Sequence, residues 1–317
     1  MRIFVAGATG ALGRHLIPRL VAAGHEVTAT TRTPGKLAQL REAGAEPVVV
    51  DGLDRERVIV AVLAAEPEVI VHEMTALADM RSLRKIDQVF ATTNELRTRG
   101  TDNLLAAAAQ VGTRRLIVQC ATGSNERSGS PVKTEEDPLA SRSPSPSSAR
   151  ALAAIKYVEE TVPVTAPQGI VLRYGTFYGP GTGISADPEA TVTKPVLKRQ
   201  FPLVGAAGGV WSFVHVTDAA TATVEAIEHG AAGIYQVVDD EPAPVSEWLP
   251  ELARVLDARS PRRLPSWLGR LAAGEAATLM ITDVRGASNG KTKRELGWQP
   301  SHPSWRTGFA EAVARAA

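Results

Sequence analysis

The chain has 317 residues, of which 44% are hydrophobic and 22% charged. It is large enough for one α/β domain plus a smaller lobe. A formal net charge of +1 leaves no electrostatic footprint for nucleic acid or for an anionic membrane surface. The single cysteine, Cys120, excludes an internal disulfide and a multi-cysteine metal site, and no metal is expected. No apolar run approaches the roughly twenty residues of a membrane helix. The N-terminus lacks a signal-peptide layout and reads as a first strand, so a cytoplasmic protein is expected.

Residues 1–13 read Met-Arg-Ile-Phe-Val-Ala-Gly-Ala-Thr-Gly-Ala-Leu-Gly. A short apolar strand, Arg2–Ala6, runs into Gly7, Gly10 and Gly13, and a helical pattern follows over Ala11–Ala23. Gly7 allows a tight turn, Gly10 lets backbone approach an anion, and Gly13 lets the helix pack close to the strand. The helix N-terminus then offers free N–H groups and a partial positive charge. Strand, glycine turn and helix in this order suit a dinucleotide pyrophosphate. Gly24 stops the helix before a second strand, Glu26–Thr31.

The rhythm continues with a helix near Pro34–Ala43, strand Pro47–Val50, helix Arg55–Ala64, strand Glu68–Val71, a long helix ending near Val111, and strand Arg115–Cys120. Such alternation predicts a doubly wound parallel sheet with helices on both faces. Cys120, at the end of a core strand, reads as a buried, inert thiol. Residues 123–150 are polar and proline-rich and read as a mobile surface loop, either a lid or a disordered excursion. Helix Ala149–Val162 and strand Gly169–Tyr174 follow. Beyond them come strands Ser212–Val216 and Ile234–Val238 and helices near Thr217–His229, Ser246–Leu256 and Ser304–Ala316. The expected division is a nucleotide-binding domain over 1–175, its sheet completed by 233–238, and a smaller substrate lobe mostly over 176–317.

These segments resemble the extended short-chain dehydrogenase/reductase superfamily, in its NAD-dependent epimerase and dehydratase branch. The resemblance rests on Gly7-x-x-Gly10-x-x-Gly13, Val49-Val50-Asp51-Gly52-Leu53, Val69-Ile70-Val71-His72 and Gly100-Thr101-Asp102-Asn103-Leu104-Leu105. It continues through Leu172–Pro180, Ser212–Asp218 and Lys293–Pro300, spanning nearly the whole chain in order. It implies a Rossmann-type sheet, an enzyme, a homodimer formed through helices near Arg84–Val111 and Ala149–Val162, and a small-molecule substrate. It also implies cofactor contacts at Gly7, Thr9, Gly10, Leu12, Gly13, Asp51, Gly52, Met74 and Lys156. After the second strand the chain carries Arg32 and Lys36 instead of an acidic residue. A guanidinium there suits a 2′-phosphate, so NADP(H) is expected over NAD(H).

The family's catalytic set is incomplete. Hydride-transferring members use a tyrosine four residues before a lysine, with a serine or threonine beside them. Lys156 matches the lysine, but Leu152 stands at the tyrosine position and Ala121 at the hydroxyl position. Arg97 replaces an asparagine, with Asn94 one turn earlier. Three readings follow. One is an NADP(H)-dependent oxidoreductase with a substitute acid, for which Thr122 and Tyr178 are the leading candidates beside Lys156, with Tyr157 and Tyr174 behind them. Another is a cofactor-retaining isomerase, epimerase or lyase using His72 or Glu73 as base. The last is a silent NADP(H)-binding protein. Thr176, Trp211 and Arg285 are the candidate substrate residues. Trp211 stands where nucleotide-sugar enzymes often carry an arginine, which points to a less charged, aromatic or polyketide-like substrate.

Overall fold

The computed structural model describes residues 1–77 and 86–314. The predicted helix start at Arg84 and helix end at Ala316 lie outside them. Seven parallel strands form the central sheet: β1 Arg2–Ala6, β2 Glu26–Thr31, β3 Glu46–Val49, β4 Val69–His72, β5 Arg115–Ala121, β6 Gly169–Tyr174 and β7 Gly233–Val237. Their order is β7-β6-β5-β4-β1-β2-β3. The chain order reverses between β1 and β4, and all strand C-termini open on one edge, where ligands of such sheets bind.

Helices α1 (Gly13–Ala22), α2 (Leu37–Glu42), α3 (Arg55–Ala65), α4 (Ile86–Glu95), α5 (Thr101–Val111), α6 (Pro146–Thr165) and α7 (Val216–His229) cover the sheet. Leu16, Ile17 and Leu20 of α1 and Ala219, Ala222 and Ala226 of α7 bury one face against Val69 and Val71. Val58 and Val62 of α3, Leu104 and Ala107 of α5, and Ile155 and Val158 of α6 bury the other against Ile70. The alternation of side chains along β4 decides which layer each residue meets. The predicted long helix ending at Val111 is interrupted by a π-helical turn over Leu96–Gly100, which separates α4 from α5.

A third core, built from Phe213, Trp248, Trp305 and Phe309, forms the lobe over the strand ends. Here the short strands Thr176–Tyr178 and Phe213–His215 pair in parallel. Three further helices, Thr193–Leu197, Ser266–Thr282 and Gly290–Leu296, belong to this half and escaped the sequence reading. The longest of them breaks at Gly274, whose φ of +81° is non-helical, so no single amphipathic stripe runs through it.

Residues 123–145 correct the expectation of a mobile loop. Val132–Lys133 pairs in parallel with Gly286–Ala287. Glu135 Oε1 accepts from Gln236 N at 2.8 Å, and Gln236 Nε2 donates to Lys133 O at 3.2 Å. Asn125 Nδ2 donates to Asp137 O at 2.8 Å. A segment too polar to form a core is held by a ladder and by side-chain-to-backbone bonds instead. Ser145 then caps α6 by accepting from Ser148 N. The segment is neither a lid in this arrangement nor a disordered excursion.

Candidate active site

The glycine turn joins β1 to α1 on the ligand-binding edge. Gly7 has φ +94°, and a Cβ there would lie 2.7 Å from the carbonyl carbon of Glu73. Gly7 N donates to Thr30 Oγ1 at 3.2 Å and Ala8 N to Thr30 O at 3.1 Å, which moors the turn to β2. Thr9 Oγ1 lies 3.3 Å from Thr31 Oγ1. A Cβ on Gly10 would meet only Gly7 O, at 3.3 Å. Among the described residues the amides of Ala11 and Leu12, at the start of α1, donate to no protein group. This cradle fits a pyrophosphate: open amides, a helix N-terminus and no side chain in the way.

Arg32 is exposed and Lys36 partly exposed, both just past β2. Asp51 Oδ1 accepts from Leu53 N at 3.0 Å and shapes the turn after β3. Gly52 is packed so tightly that a Cβ would lie 2.3 Å from Met74 Sδ. Its carbonyl accepts from buried Asn103 Nδ2 at 2.9 Å, so the Gly-Thr-Asp-Asn segment of α5 holds this loop. These predicted cofactor residues therefore share the strand-end edge, although from four different segments.

His72 and Glu73 end β4 with opposite fates. His72 is fully buried, donates from Nε2 to Leu96 O at 3.0 Å and accepts at Nδ1 from Met74 N at 3.2 Å. Burial lowers its pKa to about 4, so the ring is a neutral structural link and not a base. Glu73 faces the α1–α7 layer. Tyr174 donates to its Oε1 at 3.2 Å and lies 2.7 Å from Thr223 Oγ1. Burial raises the Glu73 pKa to about 8, against the lowering effect of the tyrosine bond. The same burial and the adjacent carboxyl raise the Tyr174 pKa well above its ordinary value.

A raised carboxyl pKa stabilises the fold below the unfolded value of 4.5 and loses that contribution as pH rises through about 8. The thermal midpoint of the protein is therefore expected to fall between pH 5 and pH 8.5 more steeply than that of Glu73→Gln. Parallel melting curves for the two proteins would mean that Glu73 ionises normally.

Around β5 and α6 the structure separates the candidates. Thr122 lies just past β5 and donates its amide to Tyr174 O at 3.1 Å. Lys156 is partly buried on α6, which packs on β5 and β6. Leu152, one turn earlier, is a buried core residue without a proton to give. Tyr157 is tied to Asp102 of α5, which removes it from the site. Cys120 is buried, and desolvation raises its thiol pKa to about 11, so it stays protonated.

Two predicted site residues are corrected. Tyr178 is wholly buried in the lobe core, with ring centroids 5.2 Å from His215 and 5.5 Å from Phe309. Burial and the nearby Asp239 carboxylate push its hydroxyl pKa far upward, and it is a packing residue rather than an accessible donor. Arg285 donates Nε to Arg127 O at 2.6 Å and pairs with Asp283 at 3.4 Å. Its fork is engaged in holding the 123–145 segment and is not an open phosphate clamp. Trp211 is partly buried, donates Nε1 to Met280 O at 2.8 Å, and packs against Trp248 with ring centroids 4.9 Å apart and planes tilted by 43°. Thr176 donates its amide to Ser212 O at 2.8 Å, joining the lobe to the end of β6.

Sequence reasoning missed a buried pair below the site. Arg173 on β6 forms two bonds of 2.6 Å with Glu159 on α6, and Cys120 Sγ lies 3.9 Å from the same carboxylate. Glu159 sits one turn after Lys156, so the pair fixes the rotation of the lysine's helix about its own axis.

The fold and the glycine turn define a doubly wound α/β protein with a cradle that fits a pyrophosphate, and comparison with known proteins is specific. The profile of the NAD dependent epimerase/dehydratase family matches residues 3–238. A Streptomyces protein named 3-diazoavenalumate denitrifying reductase is 44% identical over 309 residues, covering 98% of this chain and 99% of its own. Among solved structures, UDP-glucose 4-epimerase from Thermotoga maritima with UDP-glucose aligns with a TM-score of 0.76 at 20% identity, over 99% of this chain and 97% of that one. A human epimerase family protein with NADPH aligns at 0.70 and 20% identity, over 99% of both chains. The chain belongs to the NAD dependent epimerase/dehydratase family, within the extended short-chain dehydrogenase/reductases.

Proposed function

We propose that this chain is an NADP(H)-dependent reductase of small organic substrates that carry an aromatic diazonium group, and that it delivers hydride without a protein acid. The observation that carries the reading is the missing hydroxyl pair: Leu152 is buried in the core at the tyrosine position, and Ala121 ends β5 at the serine position. Carbonyl reduction and epimerisation both need a proton moved at the substrate oxygen. Replacement of dinitrogen by hydride does not. The carbon gains a C–H bond from the hydride pair, the C–N pair leaves with N₂, and the charge of the diazonium is neutralised. The name of the 44%-identical Streptomyces reductase, diazo substrate and denitrification together, supports the same chemistry.

When bound, the reduced nicotinamide supplies that hydride. The glycine turn and the N-terminus of α1 would hold the pyrophosphate, Arg32 and Lys36 the 2′-phosphate, and Asp51 the adenine side. Lys156 would hold the nicotinamide ribose. Trp211 offers an apolar wall to an aromatic substrate.

The test uses 4-deuterated NADPH and a simple arenediazonium salt, with heat-denatured protein as control. The expected result is deuterium on the carbon that lost nitrogen, with dinitrogen released in step with NADPH oxidation. Nucleotide binding without deuterium transfer would overturn the reductase reading. Arg32→Ala should weaken NADPH binding by about tenfold to a hundredfold in a calorimetric titration, since a charge-assisted bond contributes about 1.5–3 kcal/mol, and should leave NADH binding unchanged. Equal losses for both nucleotides would remove the 2′-phosphate assignment.

A further inference from the structure

Arg97 is an anomaly of the strand-end crevice. It lies in the π turn Leu96–Gly100, in the helical run between β4 and β5. Such turns are frequent at functional sites because an extra residue re-aims its neighbours. Here the turn is held from both sides: Leu96 O accepts from His72 Nε2, and Arg97 O accepts from Thr101 Oγ1 at 2.6 Å. Arg97 is turned inward as a result and is 5% exposed. Its Nε is sealed from solvent without a hydrogen-bond partner.

Among the described residues no carboxylate pairs with Arg97, and Glu159 is already engaged by both bonds to Arg173. Arg97 follows Leu96, whose carbonyl is bonded to His72 at the C-terminal end of β4, and its charge lowers the pKa of His72 and of Cys120. Helix α6 packs on the same π turn and carries Lys156, a second cation without a partner among the described residues. A buried cation without a partner is costly unless something completes it.

We infer that Arg97 is the receptor for an anionic oxygen of the substrate, a carboxylate or phenolate on an aromatic acid. This rests on the reductase reading for the position of the substrate, but not for the charge of the site. The receptor orients the substrate by one fixed guanidinium contact and discriminates against neutral analogues, whose binding would leave the cation unpaired.

The probe is 4-hydroxycinnamate, titrated calorimetrically into the NADP⁺-saturated protein, alongside its methyl ester and its 4-methoxy analogue. Arg97→Met should weaken probe binding by at least about tenfold, as loss of a charged contact does, with NADP⁺ affinity unchanged. Loss of binding by the ester identifies the carboxylate as the anion, and loss by the methoxy compound identifies the phenolate. A stability measurement separates this role from a structural one. Without ligand, Arg97→Met should melt higher than the wild type, because an uncompensated buried charge has been removed. Arg97→Gln should melt no lower than the wild type. Lower melting of both variants, or probe binding indifferent to Arg97, overturns the inference. Binding of NADP⁺ without binding of the probe overturns it too and leaves the cofactor reading standing. A protein that binds no nucleotide overturns the cofactor reading, and the melting comparison still decides the role of Arg97.

Discussion

Gly13→Ala is expected to give a protein that has lost dinucleotide binding and at least about 3 kcal/mol of stability, the upper range for overpacking a rigid site. The new Cβ would lie 2.3 Å from Ala8 O and 2.5 Å from Ala8 C. Both atoms are backbone in a turn already tied to Thr30, so neither can swing aside as a long side chain would. Helix α1 must therefore lift from β1 at its first residue. Leu16, Ile17 and Leu20 are at most 1% exposed and lie within two turns of that point, so the shift propagates into the core. The amides at the start of α1 move with it, and the anion cradle is lost. Denaturant unfolding and an NADPH titration of the same preparation check both arms. Wild-type stability with lost binding would mean that the helix tilts without disturbing the core, and wild-type values in both would refute the close-approach argument.

The second large effect is expected at Glu159. Glu159→Gln leaves the Arg173 guanidinium, 3% exposed, without its bidentate carboxylate. Breaking a buried pair from one side costs about 3–5 kcal/mol, because the remaining charge is stranded in low dielectric. Replacing both partners at once, as Glu159→Leu with Arg173→Met, removes both charges and should recover most of that loss. Chemical denaturation of the three proteins forms the comparison. A single variant within about 1 kcal/mol of wild type, the range of an exposed pair, would show that water reaches Arg173 and that the pair is not truly buried. Lys156 adds a functional readout: if the pair sets the rotation of α6, the single variant also loses NADPH affinity while the double variant regains it only in part.

The positions of these residues in the sequence differ in how much they disclose. Gly13 was legible because its role is local: strand, turn and helix follow one another within about twenty residues, and a missing Cβ in that order has few other uses. The parallel sheet was legible for a related reason, since apolar runs without polar alternation need cover on both faces. Leu152 and Ala121 were legible as absences, because a leucine and an alanine have no proton to give wherever the fold places them. The Arg173–Glu159 pair was not legible. The two residues lie on different elements, and no spacing rule links a strand residue to a helix turn that precedes it. The inward turn of Arg97 was equally hidden, because a π turn leaves no composition signature and depends here on His72 reaching across from β4.

The segment over 123–145 shows the limit of composition most directly. Its serines, prolines and glutamates predict poor packing, and it does lack an apolar core of its own. The fold nevertheless binds it through a two-residue ladder to Gly286–Ala287 and through Glu135 on the Gln236 amide, partners far along the chain. Tyr178 and Arg285 were misjudged by the same route. A tyrosine in a family-like motif and an arginine near the end of a lobe look available until the lobe closes over one and the 127 carbonyl occupies the other.

The order of apolar runs, the glycine spacing and the residue types at the strand ends were determined by the sequence itself, because each depends on backbone sterics and hydrophobic periodicity within one or two elements. The tertiary structure alone decided which polar side chains are free. It gave Glu73 a raised pKa, shut Tyr178 into the lobe core, bound Arg285 to backbone and left Arg97 buried without a carboxylate partner among the described residues. Burial and partnership are set by contacts between segments far apart in the chain, and a side chain's chemistry follows from those contacts rather than from its neighbours in sequence.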